Sequence, residues 1–144
     1  MNVRLGIDCL LDAHIGLVQG VRVGLVSNAS GVTRDLRRTV DALLDMQGVQ
    51  LTALFAPEHG FTTDVADGVA VGTMREARTD LPVYSLYGDV KRPTAAMLAD
   101  VDLLLFDIQT VGVRFFTYTA TLLNLMQAAA EHGIPLIVVG RERV

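Results

Sequence analysis

The chain has 144 residues, enough for one domain with a sizeable core, and 51% of them are apolar against 19% charged. A net charge of −4 with scattered Lys and Arg disfavours nucleic-acid binding through a basic stripe, and the single cysteine, Cys9, excludes an internal disulfide and a cysteine zinc cage. No run of about eighteen uncharged apolar residues predicts a membrane span, and the N-terminus lacks a secretory layout, so we expect a cytoplasmic protein.

Short apolar segments alternate along the chain with segments of helical periodicity. The predicted strands are 21–27, 49–56, 81–87, 101–108 and 134–139. The predicted helices are 33–48, 93–100 and 116–133, the last of them ended by Gly133.

This alternation predicts one α/β domain over 1–144, with a Rossmann-like, mostly parallel sheet and right-handed crossovers. The strands are continuously apolar rather than alternating, which is typical of a sheet covered by helices on both faces. The segment 57–80 is long and irregular, and a loop of this length in a compact domain is usually functional or mobile.

The chain ends on "GRERV", directly after the last predicted strand and without a covering helix. We therefore expect a fragment, or a chain that needs a partner chain. The alternative is an edge strand in a complete domain.

Polar residues follow each predicted strand at the same end. Since the carboxyl ends of parallel strands meet at one edge of a sheet, where ligands bind in open α/β folds, we expect these residues to share a crevice. The set is Asn28, Glu58, His59, Asp107, Gln109 and Arg114.

Several of these residues have equally plausible structural roles. Asn28 and Ser30 suit a turn or a helix cap, and Asp107 suits a structural acid in a loop. Arg114 could pair with Asp107 or bind an anionic ligand, and the hydroxyl of Tyr118 could point to the crevice or to the edge of the core.

Glu58 is the strongest candidate for chemistry. Pro57 and Gly60 restrict the backbone around it, and His59 is its neighbour. A carboxylate that is partly removed from water can have its proton affinity tuned and can act as a general acid or base. An isolated Glu-His pair is a weak metal motif, and no phosphate-binding glycine motif or nucleophile elbow is present.

Four segments, "GLVSNASGVT", "LFAPEHGF", "LPVYSLYG" and "DLLLFDIQTVGVRFFTYTATL", together resemble the NamZ-like exo-β-N-acetylmuramidases from about residue 20 onward. The resemblance implies a Rossmann-like N-terminal domain followed by a smaller C-terminal domain, with the active site near their junction. It also implies release of terminal N-acetylmuramic acid from the non-reducing end of peptidoglycan fragments, with no cofactor. Members of this family are often exported.

The resemblance assigns roles to matching positions. Glu58 would be the general acid, oriented by His59, with Asp107 as the second carboxyl group. Arg114 would bind the lactyl carboxylate of muramic acid. The residues that would bind sugar hydroxyls or the N-acetyl group are Asn28, Gln109 and Tyr118.

One departure from the family pattern concerns the end of the chain. The family usually continues with Asp-Arg-Pro-Asn-Pro after the last strand of this domain, whereas "GRERV" stands here and no second domain follows. We therefore expect a missing C-terminal domain or a partner chain to complete the cleft. The alternative functions are a non-catalytic muramyl-sugar-binding module and a remnant interaction domain.

Overall fold

The structure is a computed structural model that describes residues 3–58, 60–61, 74–110 and 117–143. Its strands are β1 (Val3–Leu5), β2 (Arg22–Ser27), β3 (Gln50–Ala56), β4 (Met74–Arg75), β5 (Pro82–Ser85), β6 (Leu103–Asp107), β7 (Leu136–Val138) and β8 (Arg141–Arg143). Its helices are α1 (Gly6–Ala13), α2 (Thr39–Leu44) and α3 (Tyr118–His132), with a 3-10 turn at Ile15–Leu17.

The five predicted strands form one sheet, which confirms the α/β fold. The order is β4-β5-β3-β2-β6-β7, and only β4 runs antiparallel to its neighbour. The carboxyl ends of β2, β3 and β6 therefore lie at one edge, as the sequence predicts. A separate antiparallel pair joins β1 to β8.

Two apolar clusters lie on opposite faces of this sheet, because successive strand residues point to opposite sides. On β2, Val23 and Leu25 belong to the first cluster, which α1 and α2 cover, while Val26 belongs to the second. The second cluster is covered by α3, through Leu125 and Ala128 among others. The continuously apolar strands are thus explained by burial on both faces.

The helix predicted at 33–48 is much shorter than expected and spans only Thr39–Leu44. Residues 32–38 instead form a tight reversal, in which the backbone N–H of Thr33 donates to the carbonyl of Arg37 at 2.9 Å. Leu36, which fits the apolar spacing of the predicted helix, is 80% exposed and has a φ of 59°. The periodicity was misleading because a chance apolar residue extended the pattern into a turn.

The helix predicted at 93–100 is also wrong. The segment is a succession of turns, and the backbone N–H of Leu98 reaches the carbonyls of Thr94 and Ala95 at 3.2 Å. A single turn does not by itself extend into a helix, because forming the first hydrogen-bonded turn loses more conformational entropy than one hydrogen bond offsets. Leu98 and Val101 still bury themselves in the second cluster.

The helix predicted at 116–133 is confirmed as α3, and it ends as the sequence indicates. Gly133 adopts a left-handed conformation with φ 65°, and the N–H of Ile134 donates to the carbonyl of Ala129 at 2.9 Å. This is a glycine C-cap of the Schellman type, which satisfies the last carbonyls of the helix.

The last predicted strand, β7, pairs with β6 at one end of the six-stranded sheet. Among the described residues no second strand borders it, and Val138 is 52% exposed. Within the described residues β7 is therefore an edge strand, and the expected C-terminal domain or partner chain stays a prediction.

Candidate functional site

The loops that follow β2 and β6 are joined by hydrogen bonds at the carboxyl edge of the sheet. The hydroxyl of Ser27 donates to the carbonyl of Asp107 at 2.9 Å. The backbone N–H of Gln109 donates to the hydroxyl of Ser30 at 2.9 Å, and that hydroxyl donates to Asn28 Oδ1 at 2.6 Å. Three of the predicted site residues are thus brought together by this relay.

Gly31 makes this close approach possible. A Cβ atom at this position would lie 2.0 Å from Ser27 Oγ and 3.0 Å from the Asp107 carbonyl oxygen. Any side chain here would push the two loops apart, so the requirement is for space rather than for an unusual backbone angle.

Asp107 is half-buried, and one of its carboxylate oxygens accepts a hydrogen bond from the hydroxyl of Thr39. Thr39 is 1% exposed and lies at the start of α2. This contact gives Asp107 a structural role between β6 and α2, which was one of the two interpretations of the sequence. Its catalytic role stays a prediction.

Glu58 lies directly beyond β3 and is partly buried. Its Oε2 accepts a hydrogen bond from the hydroxyl of Thr117 at 2.8 Å. Thr117 is the residue before α3 and makes no side-chain cap for that helix, so its hydroxyl holds Glu58 instead. Sequence reasoning missed Thr117, because nothing in its local pattern distinguishes it from an ordinary helix start.

Sequence reasoning also missed a cluster that we call the cavity cluster, formed by Arg38, Asp41 and Glu76. Arg38 donates from Nε and Nη2 to the two oxygens of Asp41 at 2.9 and 2.8 Å, and from Nη1 to Glu76 Oε1 at 2.8 Å. The Glu76 side chain is only 5% exposed. No sequence signal points to this cluster, since its members lie up to 38 positions apart.

The cavity cluster shifts the ionisation of its own members. The hydrogen bond from Arg38 lowers the pKa of Asp41, although burial opposes it. Burial raises the pKa of Glu76, but hydrogen bonds from Arg38 and from Thr79 outweigh it and leave that pKa lowered. The hydrogen bond to Asp41 raises the pKa of Arg38, so all three groups are charged near neutral pH.

Arg38 also borders a cavity of about 190 Å³ beside the joined loops. Its lining among the described residues consists of Ser27, Asn28, Ala29, Gly31, Arg38, Val40 and Phe61. The cavity therefore places a charged group and an amide next to apolar walls, which is the usual composition of a small-molecule site.

The predicted site residues fall into four groups. The joined loops bring together Asn28, Asp107 and Gln109, whereas Glu58 is held at the start of α3. The ring of Tyr118 packs against the second core cluster. His59 and Arg114 lie outside the described residues.

Within the part of the chain that the structure describes, no three His, Cys, Asp or Glu residues are grouped so that they could hold a metal ion. None of the described helices has the length and apolar character needed to cross a membrane. The cytoplasmic location expected from the sequence stays a prediction.

Comparison with known proteins gives a consistent result. Residues 23–144 match the family model described as exo-beta-N-acetylmuramidase NamZ, N-terminal. The peptidoglycan beta-N-acetylmuramidase NamZ of Bacillus subtilis (strain 168) is 48% identical over 140 residues, which is 97% of this chain and 34% of that protein.

Two crystal structures share the fold. A DUF1343 family protein from Bacteroides fragilis NCTC 9343 superposes with a TM-score of 0.86 at 42% identity, covering 94% of this chain and 34% of that one. A second DUF1343 protein from the same strain gives 0.77 at 29% identity, covering 96% of this chain and 34% of that one. The chain thus spans about a third of the length of each of these relatives.

Proposed function

Because the chain belongs to the family of NamZ exo-β-N-acetylmuramidase N-terminal domains, we propose that it carries the sugar-binding and catalytic edge of a glycoside hydrolase. The reaction would release terminal N-acetylmuramic acid from the non-reducing end of peptidoglycan fragments. The B. subtilis relative is named as a peptidoglycan β-N-acetylmuramidase, which supports this choice of substrate.

One observation carries the proposal. Glu58 leaves the carboxyl end of β3 with its carboxylate held at 2.8 Å by Thr117, at the edge where the loops after β2 and β6 are tied together. A glycosidase needs a carboxyl group that is fixed in direction, and the contact between Thr117 and Glu58 supports that role.

In this proposal Glu58 is the general acid that protonates the leaving oxygen, and His59 orients it. The hydrogen bond from Thr117 to Oε2 fixes the direction of this carboxyl group. Asp107 is the second carboxyl group, acting as base, nucleophile or charge stabiliser for the oxocarbenium-like transition state.

The other predicted residues bind the sugar. Arg114 would hold the lactyl carboxylate through its planar guanidinium, which suits a bidentate contact. Asn28, Gln109 and Tyr118 would bind hydroxyl or N-acetyl groups. No cofactor is needed for this chemistry.

We further propose that residues 1–144 form the Rossmann-like domain of a longer catalytic unit. The relatives are about three times as long, since the chain covers 34% of each. The additional part, or a partner chain, would close the cleft over the edge described here.

The test is release of N-acetylmuramic acid from a MurNAc-GlcNAc disaccharide, measured by chromatography for this chain and for the B. subtilis relative as a positive control for the assay. In this chain Glu58→Gln should abolish release while leaving disaccharide binding within about twofold, since it removes the transferable proton and keeps the shape. Glu131→Gln, an exposed substitution near the opposite end of α3, is the matched control.

The same experiment separates the alternatives. Unchanged release by Glu58→Gln would refute the assignment of the general acid. Binding without release by the unmodified chain would support a muramyl-sugar-binding module. Neither binding nor release would support an interaction domain.

A further inference from the structure

The side chain of Asn28 is oriented by its own loop. Its Oδ1 accepts hydrogen bonds from the backbone N–H of Ser30 at 2.9 Å and from the Ser30 hydroxyl at 2.6 Å. A backbone N–H only donates, so the atom facing it must be the oxygen, and the amide nitrogen must point the other way.

The amide nitrogen of Asn28 is left as a donor at the cavity. Asn28 is 8% exposed and lines the cavity, and its Nδ2 donates to none of the residues that the structure describes. No described side-chain donor is fully buried without a partner, so this amide is open to the cavity, where an acceptor on a ligand can take its hydrogen bond in place of solvent.

Arg38 adds further donors without adding net charge. Its Nη1 and Nη2 each carry a second hydrogen beyond those given to Glu76 and Asp41, and no described residue accepts it. Arg78 lies 3.4 Å from Asp41, and Arg37 is paired with Asp45, so among the described residues the charges of Arg38 and Arg78 are matched by those of Asp41 and Glu76. A neutral acceptor therefore suits this wall better than an anion.

The remaining walls and the volume limit what can enter. Val40 and Phe61 are apolar, and the cavity of about 190 Å³ is smaller than the roughly 300–1,000 Å³ of a pocket for a whole drug-sized ligand. The site thus fits a small group that combines an acceptor oxygen with a methyl group.

From these features we propose that the cavity is an acetamido subsite, in which Asn28 and Arg38 bind the carbonyl oxygen of an N-acetyl group and Val40 and Phe61 contact its methyl. The assignment rests on the proposed function, which supplies an N-acetylated sugar. It makes Asn28 and Arg38 specificity-determining residues and gives the lactyl carboxylate a separate location.

The test compares two ligands on the 144-residue chain by calorimetry or NMR titration. One is N-acetylmuramic acid, and the other is 3-O-lactylglucose, which has a neutral hydroxyl in place of the acetamido group. The second should bind at least tenfold more weakly, because the Asn28 amide and the apolar walls lose their partners. Equal affinity for the two ligands, or no measurable binding of either, would overturn the subsite.

Asn28→Asp sharpens the test, because it keeps Oδ1 for Ser30 and turns the donor into an acceptor. It should lower the affinity for N-acetylmuramic acid at least tenfold, with an unchanged melting temperature as the check on folding. Asn124→Asp, on α3 at the other face of the sheet, carries the same charge change and should have no effect. Unchanged affinity in Asn28→Asp would also refute the subsite.

These readouts are separable from the proposed reaction. Acetamido discrimination without release of product would retain the subsite and reject the hydrolase. Release of product without discrimination would retain the hydrolase and reject the subsite.

Discussion

Two arginines of this domain each bridge two carboxylates, and the two sets differ mainly in their burial. The cavity cluster consists of Arg38, Asp41 and Glu76, and what we call the amino-end cluster consists of Arg22, Asp100 and Asp102. In the cavity cluster, the side chain of Arg38 is 29% exposed and that of Glu76 is 5% exposed. In the amino-end cluster, the side chains of Arg22, Asp102 and Asp100 are 40%, 42% and 82% exposed.

This comparison shows that contact geometry alone does not decide how much an ion pair contributes to the free energy of unfolding. Arg22 makes short bonds, at 2.7 Å to Asp102 and 3.0 Å to Asp100, and these match the 2.8 Å bonds of Arg38. Water screens the exposed set, so its net contribution is small, whereas loss of one partner in the buried set leaves a charge without compensation. The amino-end cluster can hold strands together, whereas the cavity cluster borders the cavity described above through Arg38.

The largest effect is expected from Arg38→Met. It leaves the Glu76 carboxylate in a site that is 5% exposed, where its remaining partners among the described residues are the backbone N–H groups of Arg78 and Thr79 and the Thr79 side chain, none of them charged. We expect a loss of about 2–4 kcal/mol in the free energy of unfolding, measured with urea. The double variant with Glu76→Gln should recover part of this loss, and an equal loss in both would contradict the explanation.

Acid titration sharpens the same prediction. The folded state lowers the pKa of Asp41 and of Glu76, so their contribution is complete above the unfolded pKa of about 4 and is lost as pH falls below it. The unmodified chain should therefore lose stability steeply below about pH 4. Arg38→Met should lose less, so the two curves should converge. If stability falls in parallel for the two proteins from pH 7 to pH 3, the pKa values of these carboxylates do not depend on Arg38.

The next effect concerns two glycines. Gly31→Ala places a methyl group 2.0 Å from Ser27 Oγ and should cost about 1–3 kcal/mol by overpacking at the joined loops. Gly16→Ala meets no atom within 4 Å and should be close to neutral. Thermal melting of both variants checks the pair, and equal melting temperatures would show that the loops tolerate separation.

The smallest effect is expected from Arg22→Met. The hydrogen bonds from Arg22 lower the pKa of Asp102 to about 2, but the groups are exposed to solvent, so the change in stability should be much smaller than for Arg38→Met. It should also shrink as NaCl is raised, since salt screens exposed pairs. An effect equal to that of Arg38→Met at high salt would erase the distinction between the clusters.

The strands could be predicted from the sequence because their burial on both faces leaves continuous apolar segments. Leu103 to Phe106 is such a segment, whereas its position next to β2 was decided by the tertiary structure, because alternation alone does not fix the strand order. Glu58 and Asn28 could be placed at the same edge because the carboxyl ends of parallel strands meet there. The helix α3 could be predicted because its glycine cap is a local signal.

The errors came from segments in which local pattern and tertiary packing disagree. Leu36 fitted a helical repeat yet lies in an exposed turn, and residues 93–100 cover the core without forming a helix. Helix propensity and apolar periodicity are weak predictors of secondary structure where a few tertiary contacts are enough to hold a segment in place. The partner of Glu58, Thr117, is 59 positions away and has no local signature.

The sequence by itself determined the α/β class, the parallel strands, the edge where polar side chains collect and the resemblance to the muramidase family, because each depends on hydrophobic pattern or on ordered local motifs. Only the tertiary structure decided which groups touch there: Thr117 on Glu58, Thr39 on Asp107, and Arg38 with two carboxylates beside Asn28. Those contacts join residues that are far apart in the chain, and their strength depends on burial, which exists only once the sheet and its loops are assembled.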